Sequence, residues 1–184
     1  MSEVSTSVHF LGLGPQQTRK LAVASGFAGR IVATNQRWTC FVPFEDDQAM
    51  QVVLAASGVA LLWTYAEDYA LALSFFHGGA LVGEGTLAWY EETYAPPVTP
   101  PSAELLDALA KVGVLSSEGV EQFAALTRQV AAGAIERDPV RDAAAAILGL
   151  AAYQWLSPRA CLDTSVEVMR GQHPAAEDVD EDES

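Results

Sequence analysis

Basic residues are scarce in this chain: ten lysines and arginines stand against 24 aspartates and glutamates over 184 residues, a formal net charge of −14. A surface of that sign repels phosphate backbones, because proteins hold nucleic acid chiefly through Lys and Arg that displace counterions. Nucleic acid is therefore excluded as a partner, and so is adhesion to anionic lipid. Cysteine is nearly absent as well. Cys40 and Cys161 match no zinc or redox spacing, and two reduced thiols are expected. Long apolar runs are missing: the most apolar helix-like stretch, Ala143 to Leu156, has 14 residues, too short for a membrane span and typical of a core helix. Met1 to Ser7 are polar and lack the basic start and apolar stretch of a secretory signal, so the cytoplasm of a bacterium-like cell is the expected compartment.

Complete catalytic motifs are also missing. The chain contains no phosphate loop ending in Gly-Lys-Ser/Thr and no Gly-x-Ser-x-Gly elbow. Gly12-Leu13-Gly14 follows a strand and precedes a helix, as in a dinucleotide fingerprint, but Gln17 occupies the place of the third glycine, and a helix entry accounts for the first two. His9, His77 and His173 are far apart, and none has a second metal-type ligand at helical or hairpin spacing. A site joining His77 to Glu67 and Asp68 would need two consecutive hairpin turns at one end of the sheet, whereas such turns lie at opposite ends. No catalytic, metal-binding or cofactor-binding residue is assigned.

What is present is the material for a sizeable core, since half of the residues are hydrophobic. Val8 to Leu13 reads as a strand, and Pro15 then opens a helix that runs to about Ser25. A strand from Arg30 to Phe44 follows, with a possible break near Asn35-Gln36, and Glu45-Asp46-Asp47 opens a second helix to about Ser57. Three strands arrive next, Val59 to Ala66, Tyr69 to Phe76 and Ala80 to Tyr90, joined by turns at Glu67-Asp68 and His77-Gly78-Gly79. One face of the first two is large (Leu61, Trp63, Tyr65, Leu71, Leu73, Phe75) and the other mostly small. That contrast predicts helices on the small face, where a helix axis can come close, with the large face left for a second layer or an interface. Gly83 and Gly85 mark a bulge or a close backbone approach.

Four prolines between Ala95 and Pro101 make a semi-rigid linker, after which the pattern becomes helical. Ser102 caps a helix to about Val112, a second runs to about Ala132, and Asp138-Pro139 starts a third that Ser157-Pro158 closes. From Gly171 the chain is polar and acidic, too poor in apolar residues to offset the entropy of ordering it. The reading is α+β: a β-α-β-α-β-β-β, mostly antiparallel sheet domain over 1–94 with helices on one face, a linker over 95–101, a three-helix segment over 102–170 packed on the sheet, and a disordered acidic tail over 171–184.

Charge is then the clearest statement about partners. The tail carries −6, and the remaining body is still at −8. Such a field favours a basic protein and speeds encounter with one. The best-placed anchors are the acids on turns and strand ends, Glu67, Asp68, Glu84, Glu91 and Glu92, together with the neighbouring Trp89 and Tyr90, since interface hot spots are rich in Trp and Tyr. The expected function is a non-enzymatic cytosolic protein-binding protein, an inhibitor, immunity-type neutraliser, adaptor or regulator, that engages a basic partner through an acidic, aromatic-rich surface. The alternatives are an enzyme with an unfamiliar site built from carboxylates, His77 or Arg37 at the strand ends, and a structural subunit of a homo-oligomer.

Overall fold

A computed structural model describes residues 4–66, 70–88, 101–133, 137–150, 153 and 166–168. The order of elements is β1 (Val4–Leu11), α1 (Pro15–Ala24), β2 (Gly29–Thr34), β3 (Trp38–Pro43), α2 (Asp46–Leu54), β4 (Val59–Ala66), β5 (Ala70–His77), β6 (Ala80–Ala88), α3 (Ala103–Lys111), α4 (Ser117–Ala131), α5 (Arg137–Leu148) and β7 (Val166–Val168). The α+β reading holds. The seven strands form one antiparallel sheet in the order β6-β5-β4-β1-β3-β2-β7, so β1 is central and β6 is an edge.

The anticipated strand from Arg30 to Phe44 is a hairpin of β2 and β3. Asn35 closes its loop: the Oδ1 atom accepts from the backbone N–H groups of Arg37 and Trp38 at 2.8 and 2.7 Å. Helix boundaries follow local chemistry. Ser102 and Ser116 accept from the N–H groups of Leu105 and Gly119 and so cap α3 and α4. Helix α5 stops at Leu148 because Gly149 takes the left-handed conformation, φ 70°, eight residues before the expected stop at Ser157-Pro158.

The sheet is covered on both sides. On one side Val8, Phe10, Ile31, Phe41, Ala60 and Phe76 pack with Ala22 of α1, with Ala49, Val52 and Val53 of α2, and with Ala56 just past its end. On the other, the large residues of β4 and β5 pack with Leu105, Leu106 and Leu109 of α3, Phe123 and Leu126 of α4, and Val140, Ala144 and Leu148 of α5. The small face thus lies against α1 and α2 over part of its width, and the large face takes a second layer. The C-terminal helices lie on the large face, because Leu61, Trp63, Leu71 and Leu73 offer far more area to bury than alanine and serine do. Gly83 and Gly85 fulfil the close-approach reading: a Cβ at Gly83 would sit 2.8 Å from Leu105 Cδ1, and one at Gly85 would sit 2.6 Å from Pro101 Cγ. A bulge also falls between Phe75 and Phe76 in the pairing with β6.

Candidate functional site

Of the seven residues assigned to partner binding from the sequence, Glu84 is described. It lies exposed on β6, opposite Ser74. Glu67, Asp68, Trp89, Tyr90, Glu91 and Glu92 lie outside the described residues. The strand ends from which those segments depart are described: Ala66 pairs with Ala70, and Ala70 with Ala88, so the three sit side by side at one end of the sheet. His77 pairs with Val59 and Ala80 at the opposite end. Seven steps of β4 at about 3.3 Å each separate the two ends by more than 20 Å, which rules out His77 as a partner of those strand ends.

Around Glu84 the register builds a flat floor on the α1–α2 side of the sheet. Leu62, Ser74 and Glu84 form one row, Thr64, Ala72 and Thr86 the next, and Ala66, Ala70 and Ala88 the last. Helix α2 lies against β1, β3 and β4, and α1 against β2, β3 and β7. From β5 and β6, Phe76 is the residue that joins the core beneath these helices. Leu62, Thr64, Ala72, Ser74, Thr86 and Ala88 are left half-buried.

The large exposed apolar residues frame this floor. Met50 (41 %), Leu54 (52 %), Leu81 (53 %) and Val4 (49 %) all belong to the α1–α2 side. Leu54 ends α2 against the β5–β6 turn, where a Cβ on Gly79 would lie 2.4 Å from the Leu54 carbonyl oxygen. Leu81 is two residues past that turn, on the same side of the sheet.

The charge of this region is one-sided. From Trp38 to Ala110 the chain has ten acidic residues and no lysine or arginine. That stretch supplies β3, α2, β4, β5, β6 and nearly all of α3. The stretch is readable in the sequence, but a charge taken over the whole body averages it with the basic residues on either side.

A second group of polar residues sits under the C-terminal helices. His9 Nε2 lies 3.0 Å from Ser7 Oγ and 4.0 Å from Cys40 Sγ. The imidazole is held edge-on by Trp38 and Trp63, with ring centroids 6.4 and 6.3 Å away. Its Nδ1 atom and Trp63 Nε1 have no hydrogen-bond partner among the described residues. Burial pushes the His9 pKa down to about 3, so the ring is neutral at neutral pH. Serine, histidine and cysteine at such distances resemble a nucleophile and its base, yet each is at most 2 % exposed, which denies a substrate access. The group is a sealed polar seam in the core.

Arg37, named above for a possible catalytic role, has a structural one. Its Nη2 donates to the carbonyls of Gly113 and Val114, both at 2.9 Å, just past the end of α3. Asn35 Nδ2 donates to Gly149 O at 2.9 Å and Trp38 Nε1 to Leu148 O at 2.8 Å, at the end of α5. The β2–β3 loop thus clamps the C-terminal ends of two helices, where the backbone leaves carbonyls to be satisfied. Gln17 likewise serves the fold: its Oε1 accepts from the Gly14 N–H at 3.0 Å, so Gly12-Leu13-Gly14 is a helix entry. Cys40 is buried beside His9, and Cys161 lies outside the described residues.

No helix of the described residues is long and apolar enough to cross a membrane, and none of their His, Cys, Asp and Glu side chains gather as a metal site. Set against known proteins, the chain matches no family model, no curated protein and no solved structure.

Proposed function

We propose that this chain is a non-enzymatic protein-binding protein, acting as an inhibitor, neutraliser, adaptor or regulator, and that its partner is a basic protein. One observation carries the reading: the stretch without a lysine or arginine builds the part of the sheet whose outer floor is only half-buried, with Glu84 exposed on its edge strand. A side of the sheet that shows the Glu84 carboxylate together with exposed Met50, Leu54 and Leu81 suits recognition better than solubility alone, because solubility is served by charge without apolar exposure. The alternative enzyme reading loses Arg37 to the helix clamp and places His77 far from the acidic strand ends.

The test is affinity capture with the full chain and with a version ending at Gln172, followed by mass spectrometry at low and high salt. A basic protein retained at low salt and released at high salt is the expected result, with slower association once the acidic tail is removed. Recovery of no partner, or binding indifferent to both salt and tail, overturns the proposal.

A further inference from the structure

Building on the basic-partner reading, we infer that the partner docks an amphipathic basic helix on the floor formed by β4, β5 and β6, alongside α2. Three features of the floor select that occupant. Its side chains are small: Ala66, Ala72, Ser74, Thr86 and Ala88 rise little above the backbone, which lets a helix axis come close. Its width suits one helix, since three strands at about 4.8 Å spacing present about 10 Å between their outer members, against a helix diameter of about 10–12 Å. Helix α2 forms one wall, and its exposed Met50 and Leu54, with Leu81 beyond the turn, give the incoming helix apolar residues to bury. The α1–α2 side would then be completed by a helix from another protein.

Charge decides between occupants. A second copy of this chain would bring −14 against −14 and set its own Glu84 into an equally anionic region. An acidic helix would set like charge against Glu84 on the edge strand, and a neutral one would leave that carboxylate without a counter-charge beside the contact. A helix with a lysine or arginine on its contact stripe pairs with Glu84.

Site-directed photocrosslinking on the full chain tests this. A photoreactive residue replaces Ser74 on the floor in one protein and Gln122 on the outer side of α4 in another, and each is irradiated in an extract of the native cells. The expected outcome is a crosslink from position 74, and none from position 122, to the basic protein that the unmodified chain captures, mapping to a helical segment rich in Lys and Arg. Glu84→Lys should weaken capture about tenfold at low salt, and Ser74→Trp should block it, with thermal unfolding unchanged in both. If the basic partner is captured but crosslinks from position 122, crosslinks through an extended segment, or tolerates both substitutions, the docking mode is wrong while the basic-partner reading stands. A crosslink to a second copy also overturns it. If no basic protein is captured at all, the basic-partner reading fails and this inference falls with it.

Discussion

The two sides of the sheet use the same strands to opposite ends. Under α3–α5 the strands present Trp38, Leu61, Trp63, Leu71, Leu73 and Phe75, each at most 1 % exposed, and three helices seal them. On the reverse, Thr64, Ala72, Ser74 and Thr86 are half-buried with no comparable cover among the described residues, and Glu84 stands exposed beside them. The difference teaches that stability and recognition are separated across the thickness of a single sheet. Substitutions on the sealed side should change folding without a specific effect on binding, and those on the open side should do the reverse.

The harshest test of that division is Trp63→Ala beside Thr64→Ala, neighbours in sequence that point to opposite sides. Loss of the indole from the sealed core should cost about 3–5 kcal/mol in urea unfolding, whereas Thr64→Ala should stay within about 0.5 kcal/mol. Equal effects would erase the distinction.

Acid probes the sealed side next. His9 has a folded pKa of about 3 against an ordinary value of 6.5. Between those values the unfolded chain binds a proton that the folded chain refuses. The folded state is unpenalised above pH 6.5 and loses about 1.4 kcal/mol for each unit by which the pH falls below it, until the folded pKa is reached. Urea midpoints taken from pH 7 down to pH 4 should therefore drop steeply for the natural chain, and much less for His9→Leu, which cannot take up the proton.

Smaller effects are expected at the clamp. Arg37→Met removes two hydrogen bonds to Gly113 and Val114 while keeping much of the stem, and should lower stability by about 1–2 kcal/mol. Hydrogen exchange should quicken first at the C-terminal turn of α3. Smallest in folding terms is Glu84→Lys, on an exposed site: its thermal midpoint should not move, while the salt dependence of partner binding should flatten.

Much of the fold was legible because its boundaries are chemical. Serine caps at 102 and 116, Pro15 at a helix start and the glycines at 78 and 79 fix where elements begin and end, whatever they pack against. Sheet order was not legible, because nothing in β1 announces that it lies between β4 and β3. For the same reason the His9 seam stayed hidden. Ser5, Ser7 and His9 alternate with Thr6, Val8 and Phe10, and such alternation signals a strand with one wet face, whereas a central strand covered on both sides buries the polar face too. Sidedness was legible in outline, since small residues of β4 such as Ala60 lie beneath the N-terminal helices while Trp63, Leu71 and Leu73 take the larger second layer. At the candidate site, Glu84 was legible from its charge and strand position, but its setting depended on which strands became neighbours.

The cover over the large face comes from the far end of the chain, and this gives the fold a history in time. Ribosomes extend a chain from the N-terminus, so β4, β5 and β6 are complete at Ala88, while the last helix that seals them ends at Leu148. At roughly 5–20 residues per second, that gap is on the order of several seconds. Throughout it Trp63, Leu71, Leu73 and Phe75 await their partners, and the nascent chain presents to the crowded cell the apolar surface that the finished protein conceals.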